Sequence, residues 1–106
     1  MPVFSRATSE QISQLAAIAQ EVKMTESELL FREGDTPAIY ILLEGELSLE
    51  PVAGGQPAFA RAGDSIAVYE TLGGEESTGW KAHVTRGGLA LRVEREALFD
   101  LLADHI

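Results

Sequence analysis

The sequence predicts a mainly β fold: a jelly-roll (double-stranded β-helix) barrel of about eight short strands, flanked by an N-terminal and a C-terminal helix. Two observations carry that expectation. Apolar residues recur every three or four positions in residues 8–22, every two through most of residues 25–94, and every three or four again in residues 95–104. Glycine-rich turn signals punctuate the middle stretch, at Gly34-Asp35, Gly45, Gly54-Gly55, Gly63-Asp64 and Gly87-Gly88. A length of 106 residues suits one domain spanning 1–106.

The first element, "TSEQISQLAAIAQEV" over 8–22, reads as a helix. Thr8 and Gln11 fit a capping box, and Ile12, Leu15, Ala19 and Val22 form one apolar stripe. "SELLFREGD" reads as a short strand running into the turn residues Gly34 and Asp35. In "AIYILLEGELSLEP" the residues Ile39, Ile41 and Leu43 share a face, and Leu47 and Leu49 continue it past Gly45. Tyr40 and Leu42 face the other way. Strand, glycine turn, strand is the expected arrangement there. Pro51 ends the run, "AFARAGD" is the next short strand, and "SIAVYETL" leads into the loop "GGEESTG". "WKAHVT" and "LALRVE" read as two strands joined by the turn "RGG". "REALFDLL" returns to helix, with Leu98, Leu101 and Leu102 at helical spacing.

Composition narrows the function classes. Seventeen acids against eight bases give a net charge of −9, and no Lys/Arg cluster occurs. Basic side chains dominate nucleic-acid affinity, so neither a nucleic acid nor an anionic membrane surface is an expected partner. No run approaches the ~20 apolar residues of a membrane helix, and the N-terminus has no secretory pattern. Cysteine is absent, which excludes disulfides and cysteine metal sites and fits a cytoplasmic home. His83 and His105 are the only histidines, too few and too far apart for a cupin-type metal centre. No nucleophile elbow, phosphate-binding Walker loop or Ser/His/Asp arrangement is present, so no catalytic residue and no metal ligand is assigned.

The segment "LLFREGDTPAIYILLEGELSLE" resembles the opening strands of the cyclic-nucleotide-binding domain family, of the catabolite-activator and cAMP-dependent-kinase-regulatory type. Gly34-Asp35, Tyr40-Ile41-Leu42 and Gly45 match in order and spacing. Gly63-Asp64 matches the Gly-Asp before the binding cassette, and "LALRVEREALFDLL" resembles the last strand and the helix after it. The resemblance extends from residue 8 to residue 106. Glycines next to Asp have a reason independent of any family, because a tight turn often requires φ > 0 and Asp can bond the turn's own backbone. Such motifs speak for a fold and leave the ligand open.

The resemblance implies a cassette of "F-G-E", a loop, and "R-x-A-T-V". There a glutamate holds the ribose hydroxyl, while an arginine and a helix start hold the cyclic phosphate. Here Ile66 keeps the apolar position, Ala67 replaces the glycine and Val68 the glutamate. Ala82-His83-Val84 matches "A-T-V", and Trp80 stands at the arginine. Glu70, Glu75 and Glu76 add negative charge, and one carboxylate ~7 Å from a phosphate repels it by about 2 kcal/mol at an effective dielectric of ~20. The degenerate cassette positions are therefore Val68, Tyr69, Glu70, Trp80, Lys81, Ala82 and His83. A two-residue slip would let Glu70 replace the glutamate, and Lys81 could stand in for the arginine as a point charge, although Lys81 should face away from Trp80 on a strand.

The expected function is a non-catalytic regulatory or interaction module with no cofactor. Its partner would be an effector domain in a longer chain or a separate protein. Residues Leu98, Phe99, Leu101 and Leu102 suggest a homodimer through the terminal helices. The long helix that lids the pocket in the family is missing or cut short at Ile106, which suggests a domain from a longer protein or a stripped-down adaptor. The alternative is a small-molecule sensor that binds cAMP, cGMP or another ligand through a shifted cassette. A cupin-like enzyme ranks third.

Overall fold

The computed structural model describes residues 17–104. It contains β1 (Gln20–Met24), β2 (Leu29–Phe31), β3 (Ile39–Pro51), β4 (Ala58–Arg61), β5 (Ser65–Ile66), the short helix α1 (Val68–Leu72), β6 (Trp80–Val93) and α2 (Arg95–Asp104). The six strands form one antiparallel sheet in the order β1-β6-β3-β4, with β2 also on β6 and β5 also on β3. The fold is mainly β, as expected, but among the described residues the sheet has six strands and does not close into a barrel.

The lower strand count comes from two glycine sites that bend a strand where a reversal was expected. β3 continues through Gly45, and β6 continues through Gly87 and Gly88. The two strands pair along most of their length, with irregular register between Leu42 and Leu47. Gly45 has φ 100°, and a Cβ there would lie 2.6 Å from the Arg86 carbonyl and 2.8 Å from the Met24 methyl. A Cβ at Gly88 would run into the Glu44 carbonyl. The glycines thus let two backbones cross at close range and bend together.

That irregularity changes which side chains share a face. Tyr40, Leu42 and Leu47 belong to one buried cluster with Met24, Phe31, Ile66, Ala82, Val84 and Ala90, and Leu49 packs on it. Ile39 and Ile41 point into a second cluster with Val68, Leu91, Val93 and Leu98. The sequence expectation that Leu47 and Leu49 continue the face of Ile39 and Ile41 is therefore corrected. A bulge shifts the alternation by one residue, and a one-residue shift moves every later side chain to the other face.

The N-terminal boundary also moves. Most of the helix expected over 8–22 lies outside the described residues; Ala17 and Ile18 are helical, but Gln20–Met24 is strand. Val22 pairs with Ala90 and Met24 with Gly88. Helical and strand spacings both accommodate such a short apolar set, and the β6 edge decides by supplying backbone partners. At the other end, α2 buries Leu98 in the second cluster and packs Leu101 against it, as the helical spacing predicts. Phe99 and Leu102 stay exposed, at 39% and 42%.

Two turns prepare the site. At Arg32–Asp35 and again at Arg61–Asp64, the Asp carboxylate accepts the Arg backbone N–H, at 3.1 and 2.9 Å. The Asp N–H in turn donates to the Arg carbonyl in both. Gly34 and Gly63 supply φ 91° and 98°. The second turn hands the chain to β5, and β5 delivers it to α1.

Candidate functional site: an apolar cleft with one carboxylate

The segment after β5 turns sharply into a short helix. Ala67 occupies the left-handed region, φ 62° and ψ 24°, and starts α1 without a side-chain cap. An L-residue there costs roughly 1–2 kcal/mol relative to a right-handed conformation. The Thr71 hydroxyl donates to the Ala67 carbonyl at 2.6 Å and holds that corner. Val68 and Thr71 face inward and are buried. Tyr69 is exposed, and Glu70 is half-buried.

Thr78 ties the returning loop to the rest. Its N–H donates to the Asp35 carbonyl, and its own carbonyl accepts from Gly34 N–H. Its hydroxyl donates to Glu70 Oε2 at 2.8 Å and accepts the Trp80 N–H at 3.3 Å. One buried threonine therefore links the first Gly-Asp turn, α1 and the start of β6. Thr78 was not among the sequence candidates. Its role depends on three segments that meet only in the fold, and no local signal marks it.

These elements enclose an open cleft of about 310 Å³. Phe31, Leu49, Ile66 and Trp80 are among its apolar walls, with Ala58 at one side. Ala67, Val68, Tyr69 and Glu70 form the opposite lip. Phe31 is braced from behind by Tyr40, the two rings stacked with centroids 5.3 Å apart. Among the described residues, Glu70 is the single charged side chain in the lining, and no lysine, arginine or histidine lines it.

Of the cassette candidates, the fold brings Val68, Tyr69, Glu70 and Trp80 to the cleft. It does not bring Lys81, Ala82 or His83. Lys81 lies on the other face of β6 from Trp80 and pairs with Glu50, Nζ to Oε2 at 3.5 Å. Ala82 is fully buried in the first cluster. His83 stands opposite Leu29 and Ser48 and is half-buried. Glu75 and Glu76 are exposed and do not line the cleft, so only one of the three loop carboxylates bears on a ligand there. Val68 contributes to the lip, yet its side chain belongs to the second cluster, which removes it as a direct substitute for a ligand-binding glutamate.

Among the described residues, no group of three or more His, Cys, Asp or Glu could hold a metal ion, and no helix is long and apolar enough to cross a membrane. Arg92 lies outside the cleft lining. Burial by itself would lower the Arg92 pKa, but hydrogen bonds to Glu94 and Tyr40 outweigh it and raise the guanidinium above its ordinary value.

Solved structures with this fold agree with the topology. The catabolite activator protein of Thermus thermophilus superposes with a TM-score of 0.78 at 20% identity, over 98% of this chain and 51% of that one. The N-terminal domain of a transcriptional regulator from Streptomyces coelicolor gives 0.80 at 21% identity, over 97% and 76%. The regulatory domain of the Toxoplasma gondii cAMP-dependent kinase, crystallised with cAMP, gives 0.72 at 20% identity, over 92% and 39%. The chain has the fold of cyclic-nucleotide-binding regulatory domains. It spans about half the length of the Thermus protein. No protein-family model matches the sequence, and no curated protein matches it.

Proposed function

We propose that this chain is a non-catalytic regulatory module whose cleft does not hold cAMP or cGMP through a phosphate-binding cassette. The observation that carries the reading is the lining, which among the described residues holds one carboxylate, Glu70, and no cation. A cyclic phosphate placed there would lose its charge-assisted partners, worth about 1.5–3 kcal/mol each, and would face an opposing charge. Two such losses move a micromolar ligand, at about −8 kcal/mol, toward millimolar binding. The slipped-register alternative needs Lys81 at the phosphate; the Lys81–Glu50 pair on the opposite face of β6 argues against it.

The fold neighbours are regulatory domains of larger proteins, which supports control of an effector, either in the same chain or as a separate cytoplasmic partner. Exposed Phe99 and Leu102 on α2 support contact with such a partner or with a second copy. Titration calorimetry with cAMP and cGMP tests the cleft reading. No saturable heat is expected below the millimolar range. A low-micromolar dissociation constant that Glu70→Ala weakens would overturn it.

A further inference from the structure

We infer that the cleft is built to take a small aromatic amine, with the protonated amine on Glu70 and the ring against Trp80 and Phe31. The inference goes beyond the reading above and rests on it only for the exclusion of an anionic ligand. Size sets the first limit. A volume of about 310 Å³ lies at the small end of ligand pockets and suits one ring with a short tail. Lining sets the second. Phe31, Tyr69 and Trp80 offer aromatic surfaces, and aromatic faces attract both rings and organic cations.

Charge sets the third limit. Among the described residues, Glu70 is the only carboxyl in the lining, and Thr78 occupies just one of its oxygens. The other, Oε1, has no partner among the described residues. The Thr78 hydroxyl fixes the carboxylate's position, and the Trp80 N–H fixes Thr78 in turn. A pre-positioned carboxylate acceptor beside aromatic walls suits an ammonium donor. An anion would meet repulsion in the same place, and a neutral alcohol would gain a hydrogen bond to the carboxylate without the attraction of opposite charges.

Trp80 is the only tryptophan in the chain and forms a wall of the cleft, so its emission reports binding directly. The test titrates the full chain with three single-ring probes of matched size: 2-phenylethylamine, 2-phenylethanol and 3-phenylpropionate. None of them absorbs where tryptophan is excited selectively. The amine should change Trp80 emission saturably and bind about tenfold more tightly than the alcohol, and the carboxylate should give no saturable change. In Glu70→Gln the side-chain carbonyl still accepts from Thr78, so the lip is retained, and the preference for the amine over the alcohol should vanish.

The inference is overturned if 3-phenylpropionate binds as tightly as the amine. An unchanged amine preference in Glu70→Gln also overturns it, and so does the absence of a saturable response to all three probes. Titrating cAMP into the same preparation keeps the two readings apart. If cAMP and the amine are both silent, only the amine inference fails. If cAMP saturates in the low micromolar range, the earlier reading fails whatever the amine does.

Discussion

The Gly63-Asp64 turn and the Ala67–Trp80 segment are neighbours in the chain and obey different demands. The turn repeats the Arg32–Asp35 turn bond for bond: the same Asp carboxylate on the same Arg N–H, the same return bond, the same positive φ at glycine. The segment keeps only a conformation. Ala67 holds a left-handed corner that suits glycine, Val68 is buried, and Trp80 lines the cleft. Backbone demands dictate residues at the turn, because only a few side chains meet them without strain. Ligand chemistry dictates residues in the segment, and a different or absent ligand frees those positions while the fold persists.

The largest expected effect tests the claim that backbone approach governs the framework. Gly45→Ala must place a Cβ against the Arg86 carbonyl at φ 100°, and should cost about 3 kcal/mol or more. Thermal melting should fall by roughly 12 °C or more in a domain of this size. A melting temperature within a few degrees of the parent would show that the β3–β6 crossing relaxes freely, and the contrast with the cassette would lose its basis.

A smaller effect sharpens the account of the segment itself. Val68→Glu buries a carboxylate among Ile39, Ile41, Leu91 and Leu98, and should cost about 2–3 kcal/mol. Unchanged stability would mean that the new side chain turns into the cleft, which would restore position 68 as a ligand-binding position. Chemical denaturation read by Trp80 emission distinguishes the two outcomes.

The smallest effects are a reciprocal pair. Gly63 has φ 98° and open space around its Cβ position, so Gly63→Ala isolates the conformational penalty, about 1 kcal/mol. Ala67 already bears that penalty at φ 62°, so Ala67→Gly should stabilise by about 0.5 kcal/mol, the relief being partly offset by glycine's larger unfolded entropy. Opposite signs in calorimetric melting support the contrast. Destabilisation by both substitutions would mean that the Ala67 methyl makes a contact worth more than the strain it bears.

Much of the framework was legible because it is local. Gly-Asp turns, the alternation of Leu91 and Val93, and the helical spacing of Leu98 and Leu101 each follow from a few adjacent residues and simple sterics, and all are present. The direction of Lys81 followed equally from strand alternation, since a residue next to Trp80 must leave on the other face.

What the fold alone decided is pairing at a distance. Gly45 bends a strand because Gly87 and Gly88 lie across from it, and no local rule separates a bend from a hairpin. The shift in alternation there moves Leu47 and Leu49 to the side of Tyr40, which brings Leu49 to the cleft wall. Gln20–Met24 becomes strand because β6 offers an edge. Glu70 and Thr78 meet because the Gly34-Asp35 turn holds the loop in place from another part of the chain. Turns and short helices are governed by sterics within a few residues and can be read in order along a sequence. Register, facing across a bulge and the lining of a cleft depend on contacts between distant segments, and these exist only after the chain has closed on itself.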